Sequence, residues 1–468
     1  MQRLPWMLCL CSVSLAAAAA PVATDVDKRI DADVHAVLRH TDTPGAAIAV
    51  FKDGRLVYRQ AYGLRNRDIN LPASVDTWFE IGSITKQFTA AAILQLQEAG
   101  KLSIDAKLAT YLPDAPHANE VTLRQLLSHT SGLPEYLDGP DIEQVATRPA
   151  TFDQLVARIK DKPLDFAPGS RWSYSNTGYL MLGRVIEVVS HEPYRQYVRT
   201  HLLDPAGMTD TFTVADEGRH PTMAVGYRHA QGKLERAPTI HDTFGGAAGN
   251  LVSTLDDLER WNRALMGGKI VSPADYALMA TSVMTTEKGS AEYGLGLFVD
   301  SVEGQPRVGH TGGSFGFTTA NEYFPKQGVR IIAFTNNGDN PEPGEMLTTA
   351  IFNELYPEIY AATRKPAAGE DVKMTTAART TFMQLQSGNE DDSRFGSKLD
   401  AKMKAGLSAR LAKQFSAYGA PTAFIFKGQR ADGSVKWFDY LIQFGPGSML
   451  KFALGFDEAG KVVSLSFG

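Results

Sequence analysis

Cysteine is nearly absent. The chain has 468 residues and two cysteines, Cys9 and Cys11, both in an apolar N-terminal stretch. A mature chain without that stretch has no disulfide and no thiolate metal ligand, and its nucleophile must be an oxygen or a nitrogen. An excess of positive charge is also missing. The net charge is −5 and the pI about 6.1, so there is no basic footprint for nucleic acid. No internal repeat appears, and no low-complexity block beyond the alanines near the N-terminus. After that stretch no apolar run reaches the ~20 residues a membrane span needs. Stable membrane insertion after leader removal is therefore not expected.

What the chain does have begins with an address. Arg3 precedes an apolar run, Met7 to Ala20, that ends in alanines. This reads as a signal peptide over 1–19, removed at a small-residue site, and gives a periplasmic or secreted protein. A retained membrane anchor is the competing reading. Leu8 and Leu10 precede the two cysteines, so lipid attachment is not expected.

The length suggests more than one folded unit. Residues 20–362 read as one domain, 363–371 as a Pro/Gly/Ala linker around Pro366 and Gly369, and 372–468 as a small C-terminal α+β domain. The first domain opens with helical spacing over Asp25–Leu38 and a hairpin around Asp53-Gly54. A helix follows from about Ser83 to Gly100, then helices over 121–128, 178–190 and 254–266. Strand-like runs return at Leu295–Val299, Thr318–Phe324 and Val329–Thr335. Strands from the two ends predict one mixed sheet flanked by helices, with a helical subdomain inserted between them. The C-terminal unit reads as two helices, about 373–385 and 397–418, then four strands. That pattern resembles the cystatin-like or NTF2-like type.

Three short stretches carry chemistry. In Ser83-Ile84-Thr85-Lys86, residues three apart share a helix face, so the lysine amine can reach the serine hydroxyl. Tyr174-Ser175-Asn176 precedes a helix and offers a phenol and an amide. In His310-Thr311-Gly312-Gly313 the glycines permit close backbone approach to a ligand. One backbone N–H there can join that of Ser83 in an oxyanion hole.

With the three in this order, the chain resembles the serine β-lactamase and penicillin-binding-protein superfamily, in its class C β-lactamase, DD-peptidase and family VIII esterase branch. Thr77–Gly82, Leu126–Pro134 and Gly249–Thr254 are also similar to that family. The resemblance spans about Val26 to Tyr360 and implies an α/β (α+β) serine β-lactamase-like fold. It also implies the roles. Ser83 is acylated; Lys86 and Tyr174 share the proton, with the base left open. Asn176 positions the substrate, and His310, Thr311 and Gly312 line the strand side. The Gly313 and Ser83 N–H groups form the oxyanion hole. No metal or organic cofactor is implied. The substrate is a small ester, peptide or β-lactam. His310 stands where many relatives carry lysine, which shifts the expectation from carboxylate-bearing β-lactams towards uncharged esters and amides. Arg307 is a second candidate for an anion site.

Other readings compete. The chain can be a β-lactamase or DD-carboxypeptidase, or a penicillin-binding sensor that acylates once without turnover. Gly312-Gly313-Ser314-Phe315-Gly316 matches the nucleophile elbow of α/β-hydrolases, with Ser314 as nucleophile, but that motif needs a helix after the serine. A second Ser-x-x-Lys, Ser448 to Lys451, falls in a predicted strand, where positions three apart face opposite sides. His191-Glu192 lacks zinc-protease spacing. His129, His220, His229 and His241 read as structural or surface residues, and Glu135 and Tyr136 as part of a loop near the site.

Overall fold

A computed structural model describes residues 24–213, 222–287, 289–339, 342–389 and 392–467. The N-terminal stretch expected to be a signal peptide, with Cys9 and Cys11, and His220 lie outside the described residues. The chain enters through α1 (Asp25–His40), capped by a reciprocal Thr24–Asp27 box. Then come β1 (Gly45–Lys52), β2 (Arg55–Asn66) and the short β3 (Leu71–Pro72). A long, mainly helical insertion follows. It contains α2 (Thr85–Glu98), α3 (Asn176–Ser190) and α4 (Leu255–Met266). The sheet resumes with β4 (Phe298–Val302), β5 (Gln305–Gly313), β6 (Thr318–Phe324) and β7 (Val329–Thr335), closed by α5 (Pro343–Leu355) and α6 (Pro357–Thr363).

The seven strands run in the order β4-β5-β6-β7-β1-β2-β3. Strands from the two ends thus share one sheet around the helical insertion, as the hydrophobic pattern predicts. The sheet is not mixed, however: every ladder in it is antiparallel. Short turns join β4 through β7, and β7 pairs with β1 so that Ala46 lies opposite Thr335. Alternation along β1 assigns its two faces. Ala46, Ile48 and Val50 pack with Val34 and Ile351 under α1 and α5. Ala47, Ala49 and Phe51 join the larger core on the opposite face.

Helix α2 is buried from Thr85 to Leu94, with the polar Thr85, Lys86, Gln87 and Thr89 enclosed along with its apolar residues. The sequence predicts it from Ser83, yet Gly82–Ile84 form a 3₁₀ turn first. The strand expected at 295–299 instead starts at Phe298.

Beyond α6, α7 (Val372–Ser387), α8 (Ser397–Lys402) and α9 (Ser408–Ser416) precede β8 (Ala423–Asp432), β9 (Val435–Gln443), β10 (Met449–Phe456) and β11 (Val462–Phe467). These strands form an antiparallel meander in sequence order. Their apolar residues make a cluster of their own around Phe382, Phe415 and Phe452. The single helix expected over 397–418 is broken, because Gly406 takes φ 106°, a conformation open to glycine.

Candidate active site

Ser83 sits where the 3₁₀ turn meets β5. Gly82 has φ +50°, and a Cβ there would lie 2.7 Å from the Gly313 carbonyl oxygen and 2.9 Å from its nitrogen. A Cβ on Gly312 would lie 2.0 Å from the Ile81 oxygen. Both glycines are needed for backbone contact. That contact brings the amides of Ser83 and Gly313 to one place, and Thr319 Oγ1 ties it by donating to the Ile81 carbonyl at 3.0 Å. The β4–β5 ladder ends at Gly309. Over His310 to Gly313, β5 is paired only with β6, which leaves one strand edge beside Ser83.

Lys86 is fully buried. Its Nζ lies 3.0 Å from Ser83 Oγ, 2.9 Å from Asn176 Oδ1 and 2.8 Å from the Ala248 carbonyl oxygen. Burial pulls its pKa down to about 7, against an upward pull from the Glu135 charge. A neutral amine has two N–H donors and one lone pair. With the donors on Asn176 and Ala248, the lone pair falls on the Ser83 hydroxyl.

Tyr174 completes the cluster. Lys86 Nζ lies 4.8 Å from its ring centroid. Burial pushes the phenol far up, although the neighbouring Ser83 hydroxyl pulls it back. It is therefore protonated at neutral pH. Asn176 opens α3, and Glu135 holds it: Glu135 Oε2 accepts from the Asn176 backbone N–H at 2.6 Å and from Nδ2 at 3.5 Å. Burial raises the Glu135 carboxyl. His129 is buried against Tyr174, ring centroids 4.3 Å apart, and its Nδ1 accepts from Ser175 N–H.

His310 does not offer a donor to the cleft. Its ring is buried, 2 % exposed. Nδ1 lies 2.5 Å from the Thr311 carbonyl oxygen and Nε2 lies 2.8 Å from the Tyr293 hydroxyl. Nδ1 thus donates to the carbonyl and Nε2 accepts from the phenol. Burial, with help from the Lys86 charge, lowers its pKa to about 3. Arg307 is no anion site for this cleft either. Three positions before His310 on β5, it is buried among the carboxylates of Asp300, Glu322 and Glu345.

The elbow reading of Ser314 fails on local structure. The segment after it returns as β6, not as a helix. Ser448 and Lys451 lie on or beside β10 without a mutual hydrogen bond; Ser448 is buried and Lys451 exposed. Both border a cavity of about 940 Å³ between the main sheet and the C-terminal unit. His191 is the left-handed cap of α3. Sequence reasoning placed Glu135 only in a loop near the site and gave no role to the Ala248 carbonyl or to Tyr293. Among the described residues no group of three His, Cys, Asp or Glu could hold a metal, and no helix is long and apolar enough to cross a membrane.

A serine at the start of a buried helix, a lysine one turn on and a tyrosine above them, beside a strand edge, define a serine hydrolase of the penicillin-recognising class. The chain belongs to the Beta-lactamase family, whose model matches residues 26–356. It is 29 % identical over 335 residues to penicillin-binding protein 4 of Amycolatopsis lactamdurans, covering 68 % of this chain and 84 % of that one. Among solved structures it is similar to a D-stereospecific amidohydrolase from Streptomyces sp., with 28 % identity, a TM-score of 0.60, and 68 % and 97 % of the two chains covered. It shares its fold with an octameric penicillin-binding protein homologue from Pyrococcus abyssi, at 24 % identity and a TM-score of 0.62, over 93 % and 97 % of the two chains.

Proposed function

We propose that the protein is an exported hydrolase that forms a Ser83 acyl-enzyme with a short ester or amide that carries no carboxylate. The observation that carries this reading is the Lys86 network. A buried amine with a pKa of about 7 has its lone pair directed at the serine. Lys86 takes the Ser83 proton as Oγ bonds to the acyl carbon. The N–H groups of Ser83 and Gly313 hold the oxyanion. Tyr174, protonated at neutral pH, gives its proton to the leaving oxygen or nitrogen as the old acyl bond breaks, and is refilled from Lys86. Water then attacks the acyl carbon as Lys86 takes its proton; the bond to Ser83 Oγ breaks, the acid leaves, and Lys86 returns the proton to Oγ. Asn176 orients the amine and the substrate carbonyl. The similarity to a D-stereospecific amidohydrolase supports amides of D-amino acids as one substrate group. Export rests on the leader over 1–19.

Intact-mass analysis after exposure to p-nitrophenyl acetate, a D-alanine amide and a β-lactam tests the reading. One acyl adduct on Ser83, absent in Ser83→Ala and retained in Ser314→Ala, is expected. Labelling of the Ser83→Ala protein overturns it. Steady turnover after the first adduct distinguishes the enzyme from a sensor that acylates once.

A further inference from the structure

Three residues before the nucleophile lies a carboxylate that the acyl-transfer chemistry does not use. Phe79 and Glu80 pair with Leu251–Ser253 in a small antiparallel sheet, Glu80 opposite Val252. Phe79 and Ile81 enter the main core, so alternation turns Glu80 to the other face. There Trp78, Val252, Phe212 and Met223 form a separate small apolar cluster. Glu80 is only 6 % exposed, yet among the described residues no hydrogen bond or ion pair reaches its carboxylate. The carboxylate borders a neighbouring cavity instead, where a ligand can reach it.

The space it faces is a cavity of about 320 Å³, bordered by Glu80, Met223, Arg236, Pro238, Ser314 and Phe317. Two further features complete it. The Ser314 hydroxyl is buried without a hydrogen-bond partner. Arg236, exposed at the end of a hairpin strand (Lys233–Arg236), has no ion pair among the described residues and none with Glu80. The cavity therefore has a fixed negative pole inside, a positive pole at its rim and a free hydroxyl between chain segments that also build the oxyanion site. Ser314 follows Gly313 directly, and three residues span at most ~11 Å from Glu80 to Ser83.

We propose that this cavity binds a small zwitterion of the amino-acid type, its ammonium group on Glu80 and its carboxylate on Arg236, with Ser314 as an additional polar contact. Two opposite charges that do not neutralise each other suit a ligand that carries both. A cation alone meets Arg236 and an anion alone meets Glu80. The zwitterion is either a free amino acid or the end of a longer substrate. Such binding is independent of the acyl-transfer reading, because free amino acids have no bond for Ser83 to cleave.

The test is isothermal titration of the full-length protein with alanine, β-alanine and 4-aminobutyrate, with propylammonium and propionate as single-charge controls. Saturable millimolar binding of at least one zwitterion, stronger than either control, is expected. Glu80→Gln and Arg236→Gln should each weaken it about tenfold, as loss of one charged hydrogen bond predicts. Arg236 is exposed, so its variant keeps the test valid if Glu80→Gln folds poorly. No saturable binding of any zwitterion, or binding equal in the wild type and a folded variant, overturns the proposal. The effect of the bound amino acid on p-nitrophenyl acetate turnover separates the two sources. Competitive inhibition lost in Arg236→Gln marks the end of a substrate, and a non-competitive effect lost in the same variant marks a separate ligand. Competitive inhibition that Arg236→Gln leaves unchanged places the amino acid at Ser83 and overturns the proposal.

Discussion

Glu135 and Lys86 are joined through one amide. Asn176 takes the lysine on Oδ1 at 2.9 Å and turns Nδ2 towards the Glu135 carboxylate at 3.5 Å. Glu135 also anchors the first backbone N–H of α3 at 2.6 Å. Its charge therefore acts on Lys86 without touching it, and opposes the downward push of burial.

Glu135→Gln should shift the pH profile of turnover towards acid. Without the carboxylate charge, burial alone sets the amine and its pKa falls below about 7. The neutral base is then present at lower pH. The rising limb of kcat/KM for a neutral ester should move down by roughly one unit or less, with the shape of the limb preserved. An unchanged limb would show that the Glu135 charge does not reach Lys86.

Lys86→Arg should abolish that limb. An arginine keeps its proton throughout the working range, above pKa 12. The variant retains positive charge near Ser83 but has no lone pair to offer. A fall in kcat/KM of about 10²–10⁴ is expected, the usual worth of a general base, with no recovery up to pH 9. Stopped-flow acylation with p-nitrophenyl acetate measures it.

Ser83 and Lys86 were legible as a local pair, and Tyr174 and Asn176 took their expected roles from the family resemblance that the three motifs carry in order. Three residues make one helical turn, and the Tyr-Ser-Asn triplet lies at a helix start. Glu135 was legible only as a loop residue near the site, and the Ala248 carbonyl was not legible. One is a lone acid in a loop, and the other is a backbone atom with no residue signature. His310 was found, but its orientation was not. Whether that ring faces the cleft depends on Tyr293, seventeen positions earlier, which turns it inward. The strands were mostly visible as short strand-like runs, some of them continuously apolar. Their antiparallel pairing across the insertion was not, since β1 and β7 meet only in three dimensions. The break at Gly406 followed from one backbone angle within an otherwise continuous helical pattern.

Two adjacent glycines should respond differently to alanine. At Gly312 a Cβ would lie 2.0 Å from the Ile81 oxygen and 2.5 Å from Thr319 Oγ1, so backbone must move. A stability loss of about 1–3 kcal/mol is expected, as for other overpacked sites. At Gly313 an added Cβ would meet no atom within 4 Å, so Gly313→Ala should fold with unchanged stability. Urea denaturation of both variants tests the contrast.

The domain boundary near 363–371 is a proposal and leads to a truncation. The C-terminal helices and meander have their own apolar cluster around Phe382 and Phe452. Gln443 donates to the Tyr360 hydroxyl of the first domain at 2.9 Å, Lys427 donates to the Thr363 carbonyl of the linker at 3.0 Å, and Arg364 of the linker pairs with Glu303. None of the hydrogen bonds around Ser83 comes from that unit. A chain ending at Thr363 should remain soluble, melt a few degrees lower and label on Ser83 at an unchanged rate. Failure to fold would show that the two units share one cooperative core.

Position 310 bears on substrate choice, and here the structure changes the expectation drawn from residue type alone. A histidine with an ordinary pKa would gain charge between pH 8 and pH 6 and attract carboxylate-bearing substrates as the pH falls. Buried His310 does not. Its pKa lies at about 3, with Nδ1 on the Thr311 carbonyl and Nε2 on the Tyr293 hydroxyl, so the ring is neutral throughout that range. Arg307 cannot substitute, because its guanidinium is taken by Asp300, Glu322 and Glu345. The ratio of kcat/KM for a short p-nitrophenyl ester to that for a chromogenic cephalosporin should therefore favour the ester and stay flat from pH 6 to 8. Lys86 titrates in this window, but it enters both rates equally and cancels from the ratio. Tyr293→Phe removes the phenol that fixes the ring, and a pH-dependent ratio in that variant alone would identify the Tyr293 hydroxyl as what keeps His310 out of the cleft. A ratio that falls towards pH 6 in the wild type would mean that His310 protonates and faces the substrate.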